Sequence, residues 1–163
     1  MKRLYLCLLL LCLLPLSSCH GQRYGILSYQ ENEIYAECIL NGEYKIAITK
    51  KENEKAVSFL EPSSLSTVSF TESNGEVVGC AGEIEIPFAE GDIDGVLAIL
   101  SMFSLDEETL VLATSVNEEA CMEFLNTFGR YKVTLGKNDL PRHIEISSAS
   151  YAFDIAIEAI RIN

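Results

Sequence analysis

The feature that most constrains this chain is alternation broken by tight turns. "EIYAECIL" and "NGEYKIAIT" place apolar and polar residues on opposite faces of an extended chain. Between them sits Asn41-Gly42, a pair suited to a hairpin because both central positions need positive φ. Ile46 and Ile48 and, across the turn, Ile39 and Tyr35 supply β-branched or aromatic faces. "AVSFLEP" and "STVSFTESNGEVVGCAGEIEIPF" continue the pattern, with Asn74-Gly75 as a second turn. It returns in "ETLVLATS", "RYKVTLG", "RHIEISS" and "YAFDIAIEAIRI". Lys137-Asn138-Asp139 reads as a turn, and Pro141 belongs at a strand start, where its missing N–H costs least.

One stretch keeps a different period. In "GDIDGVLAILSMFSLDEE", Ile93, Val96, Leu97, Leu100 and Phe103 recur at three- and four-residue spacings, which predicts a helix. Ile99 and Met102 broaden its apolar stripe, so it is expected to pack across a sheet. Asp92 is the expected N-cap, and Gly95 weakens the first turn. "EEACMEFLNTFG" fits two periods. Cys121, Phe124, Leu125 and Phe128 suit a helix, with Ser115 and Glu118 as a capping box. The same residues also alternate as a strand, and "RYKVTL" needs such an antiparallel neighbour. The strand is the favoured reading. The expected class is therefore α+β, mostly β: a curved antiparallel sheet, an incomplete β-barrel, packed against one or two helices.

The first residues are of another kind. Lys2 and Arg3 precede a leucine run from Leu4 to Leu14, too short to span a bilayer and typical of a secretory leader. Leu16-Ser17-Ser18-Cys19 resembles the lipobox of bacterial lipoproteins. That resemblance implies cleavage before Cys19, a diacylglycerol on its thiol and an acyl chain such as palmitate on its new amine. Two or more chains hold a protein stably at a membrane. The plainer alternative is an ordinary leader cut near Ser18 or Gly21. The organisation expected is a signal peptide at 1–18, a lipidated tether at 19–26 and one domain at 27–163. The site expected is the extracytoplasmic face of a bacterial cell membrane.

Removing the leader takes two positive charges and no acidic residue, so the mature part is more acidic than the whole chain's −12. Such a chain is repelled by phosphate backbones, which argues against nucleic acid. Of six cysteines, Cys38, Cys80 and Cys121 remain in the domain, where one disulfide could form but three thiols cannot all pair.

Catalytic and metal-binding patterns are weak. "EGDIDG" imitates the start of a calcium loop, but its twelfth position, counted from Glu90, is Ser101 rather than an acid. A Cys121–His143 couple and the Asp154/Glu158 pair are more simply a packed thiol and solvated carboxylates. No nucleophile elbow, serine–lysine pair, HExxH helix or phosphate-cradling glycine loop is present. The expectation is a non-enzyme without metal or cofactor.

The order of elements from "ILSYQENEIYAECILNGEYKIAITKKENEKAVSFLEPSSLSTVSFTESNGEVVG" to "LGKNDLPRHIEI" resembles the lipoprotein-localisation-factor-like (LolA/LolB-like) family. The likeness lies in a paired strand ending in Lys50 and Lys51, an apolar strand reaching "LEPSSL", then "VSF" and a turn. It implies an incomplete β-barrel whose hollow accepts acyl chains of lipids or lipoproteins. Phe59, Phe70, Phe88, Leu97, Leu100, Met102, Phe103 and Phe124 are the candidates to line that groove. With Cys19 lipidated, the chain is similar to the membrane-fixed members. Lipoproteins of similar build in spore-forming Gram-positive bacteria instead support envelope enzymes as binding partners. The leading expectation is apolar-ligand binding, and the alternative is a protein-binding adaptor at the envelope.

Overall fold

The structure, a computed structural model, describes residues 32–88, 93–116, 119–136 and 139–163. The leader, Cys19 and the tether lie outside these residues. Among the described residues eleven strands form one open, curved antiparallel sheet. In chain order they are β1 (Ile34–Leu40), β2 (Tyr44–Lys50), β3 (Glu54–Glu61), β4 (Val68–Ser73), β5 (Glu76–Ala81), β6 (Ile84–Ile86), β7 (Leu110–Val116), β8 (Glu119–Asn126), β9 (Gly129–Leu135), β10 (Pro141–Ser147) and β11 (Ala152–Ile162). A single α-helix among the described residues, α1 (Asp94–Ser101), falls between β6 and β7.

Across the sheet the order is β6-β5-β4-β3-β2-β1-β11-β10-β9-β8-β7. The first and last strands meet in the middle, and β6 and β7 are the two edges. The chain must therefore travel from one edge to the other between β6 and β7. That passage carries α1 over the inner face, which is why the helix covers the hollow. Bulges help bend the sheet. One lies where Glu37 and Cys38 pair with Ala159 and Ile157, leaving Glu158 as the extra residue.

The predicted turns form as expected. Asn41 and Gly42 have φ of 53° and 71°, and Asn74 and Gly75 have φ of 52° and 82°. Pro141 opens β10. Residues 137 and 138 lie outside the description, but Asp139 has φ of 57°, as a turn residue should. "EACMEFLN" is a strand, paired through Asn126 and Gly129 to β9.

The helix differs from its sequence pattern. It has eight residues, and the residue at its N-cap position is Ile93, which makes no side-chain cap bond. The expected cap, Asp92, lies outside the described residues. Ala98, Ile99 and Leu100 are buried, Val96 packs half-buried on the same core, and Met102 and Phe103 are buried just beyond, so the apolar stripe is as broad as its sequence suggests. Two contacts tie the helix to the sheet. The Tyr131 hydroxyl of β9 donates to the Ala98 carbonyl at 3.1 Å. Gly95 admits Phe153, whose ring would lie 3.2 Å from a Cβ there.

Alternation builds the core directly. Ile34, Ala36, Cys38 and Leu40 of β1 turn inward, against Ile46 and Ile48 of β2 and Ile155 of β11. Tyr131, Val133 and Leu135 continue the layer on β9.

Candidate functional site

The hollow between sheet and helix has two unlike halves. Beneath α1, Leu100, Met102, Phe103 and Phe124 retain only 1–2% of their surface. They pack on Tyr131, Val133 and Ile144 and face the chain's own side chains. Met102 and Phe103 lie just past the helix, where the chain tightens: Met102 N–H donates to the Ile99 carbonyl, and Ser104 N–H to that of Ser101. This half of the hollow is filled.

The other four groove candidates remain half-buried. Phe59 on β3 and Phe70 on β4 point inward, as their pairing with Ile46 and Val57 requires. Phe88 lies on Phe70 with ring centroids 5.8 Å apart, and Tyr44 meets Phe59 edge-on at 6.0 Å. Leu97 is half-buried on α1, the helix that approaches β3 and β4. Gly79 creates the space for Phe88, since a Cβ there would come within 2.5 Å of the Phe88 Cζ. The wing formed by β3 to β6 thus carries an aromatic shelf that the core does not fully enclose.

Near the end of the same inner face, Lys50 and Lys55 stand opposite each other. Burial, then the Lys55 charge, lower the Lys50 pKa. Lys55 reaches Glu72 at 3.0 Å.

The outer face is a lattice of charges that satisfy one another. A row across four strands runs Glu123, Lys132, Glu145, Asp154. Arg130 reaches Glu123 at 3.0 Å, Lys132 reaches Glu145 at 2.7 Å and His143 Nε2 lies 3.0 Å from Asp154. A shallow cleft of about 390 Å³ crosses this row. Farther along, Lys45 joins Glu37 at 3.0 Å and Glu158 at 3.4 Å. The hydrogen bond with Glu37 raises the Lys45 pKa, and the same bond lowers that of Glu37. Asp154 and Glu158 are therefore occupied by different partners.

Cys121, Thr134 and His143 share the next row. Thr134 intervenes, so Cys121 and His143 stand two strand spacings apart, about 10 Å. That is too far for direct proton transfer. Cys38, Cys80 and Cys121 are all free thiols. Burial in the core pushes Cys38 up to about 12. Such a thiol is a packing residue and a poor nucleophile. Among the described residues no three potential metal ligands come together.

Two features escaped the sequence pattern. Tyr131 is one aromatic residue in an alternating run, and nothing local marks its hydroxyl as the tie to α1. The exposed face of β7 depends on that strand being an edge, which only the sheet order reveals. There Val111 and Leu112 are 60% and 46% exposed, beside Leu125 of β8 at 52%.

No family model and no curated protein sequence matches the chain. Several solved structures are similar in shape. An uncharacterized conserved protein from Thermus thermophilus is 13% identical, with a TM-score of 0.47 and 85% of each chain covered. MucB, in its complex with MucA(peri), is 10% identical with a TM-score of 0.44. That match covers 85% of this chain and 53% of MucB, so the chain spans about half of that protein. A LolA superfamily protein from Nitrosomonas europaea is 11% identical with a TM-score of 0.38, covering 85% of this chain and 92% of the other.

Proposed function

We propose that this chain is a LolA-like lipoprotein of the bacterial envelope, held by a lipid on Cys19, that works as a non-enzymatic adaptor for a protein partner. The observation that carries the adaptor reading is the filled half of the hollow. Leu100, Met102, Phe103 and Phe124 occupy the volume an acyl chain would need beneath the helix. Apolar surface left for recognition lies outside that core. The outer charges are engaged with one another, which suits a solvated scaffold better than a reaction centre.

A second reading has its own support in the aromatic shelf. Phe59, Phe70, Phe88 and Leu97 remain half-buried together, and an apolar ligand lying on the β3–β6 wing would cover them. Native mass spectrometry of the protein released from its own membranes in mild detergent distinguishes the two. A stoichiometric protein partner supports the adaptor. A stoichiometric lipid with no protein supports the shelf and removes the adaptor. Replacing Cys19 with alanine is expected to move the protein from the detergent phase to the aqueous phase; retention in detergent overturns the anchor.

A further inference from the structure

The two edges of the sheet are not alike. β6 has three residues with Glu85 at its centre, the short, charged kind of edge that resists pairing. β7 has seven residues, LVLATSV, with no charge and no proline. Among the described residues it pairs on one side only, with β8. Its irregularity falls between Leu110 and Leu112, so Leu112 to Val116 keep a regular register. A regular, uncharged edge offers unpaired N–H and C=O groups as a template for another strand. On the outer face the edge itself shows Leu112, 46% exposed, and the neighbouring strand adds Leu125, 52% exposed, with Glu123 opposite Leu112 held by Arg130.

We propose that the free edge of β7 accepts an extended segment of a partner protein, alternating in apolar residues and flanked by lysine or arginine, as a twelfth strand. This rests on the adaptor reading. The basic flanks follow from charge. Asp106 and Glu108 are exposed immediately before β7, while Glu119, just after it, is already paired with Arg142 at 2.8 Å. The whole chain carries −12. A strand with basic flanks is attracted to the Asp106–Glu108 end of this edge and is steered toward the acidic molecule in solution. A second copy is the poorer occupant. Two paired β7 strands would join two strongly negative molecules.

The test uses detergent-solubilised protein and two short peptides of alternating valine and threonine, one flanked by lysines and one by glutamates. The lysine-flanked peptide is expected to bind and to slow amide exchange within residues 112–116. Leu112→Gln is expected to weaken it about tenfold, through loss of a buried leucine contact. Val78→Gln, at a 42% exposed apolar site on β5, should leave binding unchanged. Equal binding of both peptides, equal effects of the two substitutions, or no binding at all overturns the proposal. So does an unliganded dimer with protected β7 amides that Leu112→Gln converts to monomer. A native partner retained undiminished by Leu112→Gln refutes the edge and spares the adaptor. Peptide binding at β7 without any native protein partner spares the edge and refutes the adaptor.

Discussion

Replacing Tyr131 with phenylalanine isolates one bond in the core. The Tyr131 side chain is fully buried, and its hydroxyl donates to the Ala98 carbonyl at 3.1 Å. Ala98 lies in the last turn of α1, where carbonyls lack full helical partners. Met102 N–H, the donor that an ideal helix would send to Ala98, turns to Ile99 instead. The tyrosine therefore supplies a cap from the sheet. Phenylalanine keeps the ring and leaves no cavity beyond one oxygen. The expected cost is that of depriving a buried carbonyl of its donor, about 1–3 kcal/mol. In a domain of this size each kcal/mol lowers the melting temperature by about 3–6 °C. Urea unfolding should show a lower midpoint with an unchanged slope. A second signature lies in alkali. Burial pushes the Tyr131 pKa up to about 12. Since the unfolded phenol ionises near 10, its stabilisation is complete below about pH 10 and is lost as pH rises toward 12. The wild type should lose stability there at up to about 1.4 kcal/mol per pH unit from this group, and Tyr131→Phe should lack that contribution. A variant as stable as the wild type at pH 7, with the same alkaline slope, would refute the claim that this hydroxyl ties helix to sheet.

The Cys38 thiol, raised to about 12 by burial, adds an alkaline loss that begins near pH 9, the unfolded value, and continues to its folded value. Cys38→Ala should remove that early limb in pH-dependent urea titrations, and in the wild type Cys38 should react with iodoacetamide only after unfolding. Gly79→Ala is expected to destabilise by about 1–3 kcal/mol, because the new methyl group collides with Phe88 and Phe70; thermal melts with and without Phe88→Ala should show the cost falling when the ring is removed. Phe124→Ala should cost about 3–5 kcal/mol by chemical denaturation, as expected for a large buried ring. Phe59→Ala, at a half-buried position, should cost clearly less. Equal losses at the two sites would contradict the division into a filled half and an open shelf.

The strands were legible because burial on one face imposes a period of two, and each slip by one residue would reverse every side chain. β1 shows this most plainly, with every second residue inward from Ile34 to Leu40. The turns at Asn41 and Asn74 were legible because few residue pairs accept two positive φ values. α1 was legible as a helix with a broad apolar stripe, but its ties to the sheet were not. Its apolar residues surround most of the axis, so the face that packs is chosen by partners distant in sequence, Tyr131 and Phe153. The groove candidates were correctly apolar, but apolarity does not distinguish a lining from a filling. Phe103 and Phe124 became core because the chain after α1 turns into the hollow, while Phe59 and Phe70 lie on strands that it only partly covers.

That uneven cover follows from the topology. With β1 and β11 joined at the centre, the terminal strands are protected and the exposed edges fall to β6 and β7, in the interior of the sequence. A single crossing between those edges must shield a broad inner face, and its eight-residue helix is about 12 Å long. Measured along its curve, a sheet of eleven strands spaced about 4.8 Å apart is roughly 48 Å wide. One short helix cannot cover such a width, so part of the inner face depends on loop residues such as Phe88, Met102 and Phe103. The crossing also leaves β7 with no neighbour on its outer side among the described residues. An uncharged edge is a liability for a solitary chain. Its presence beside a face otherwise laced with ion pairs fits a surface used for pairing, because a single lysine within Leu112–Val116 would be enough to blunt it.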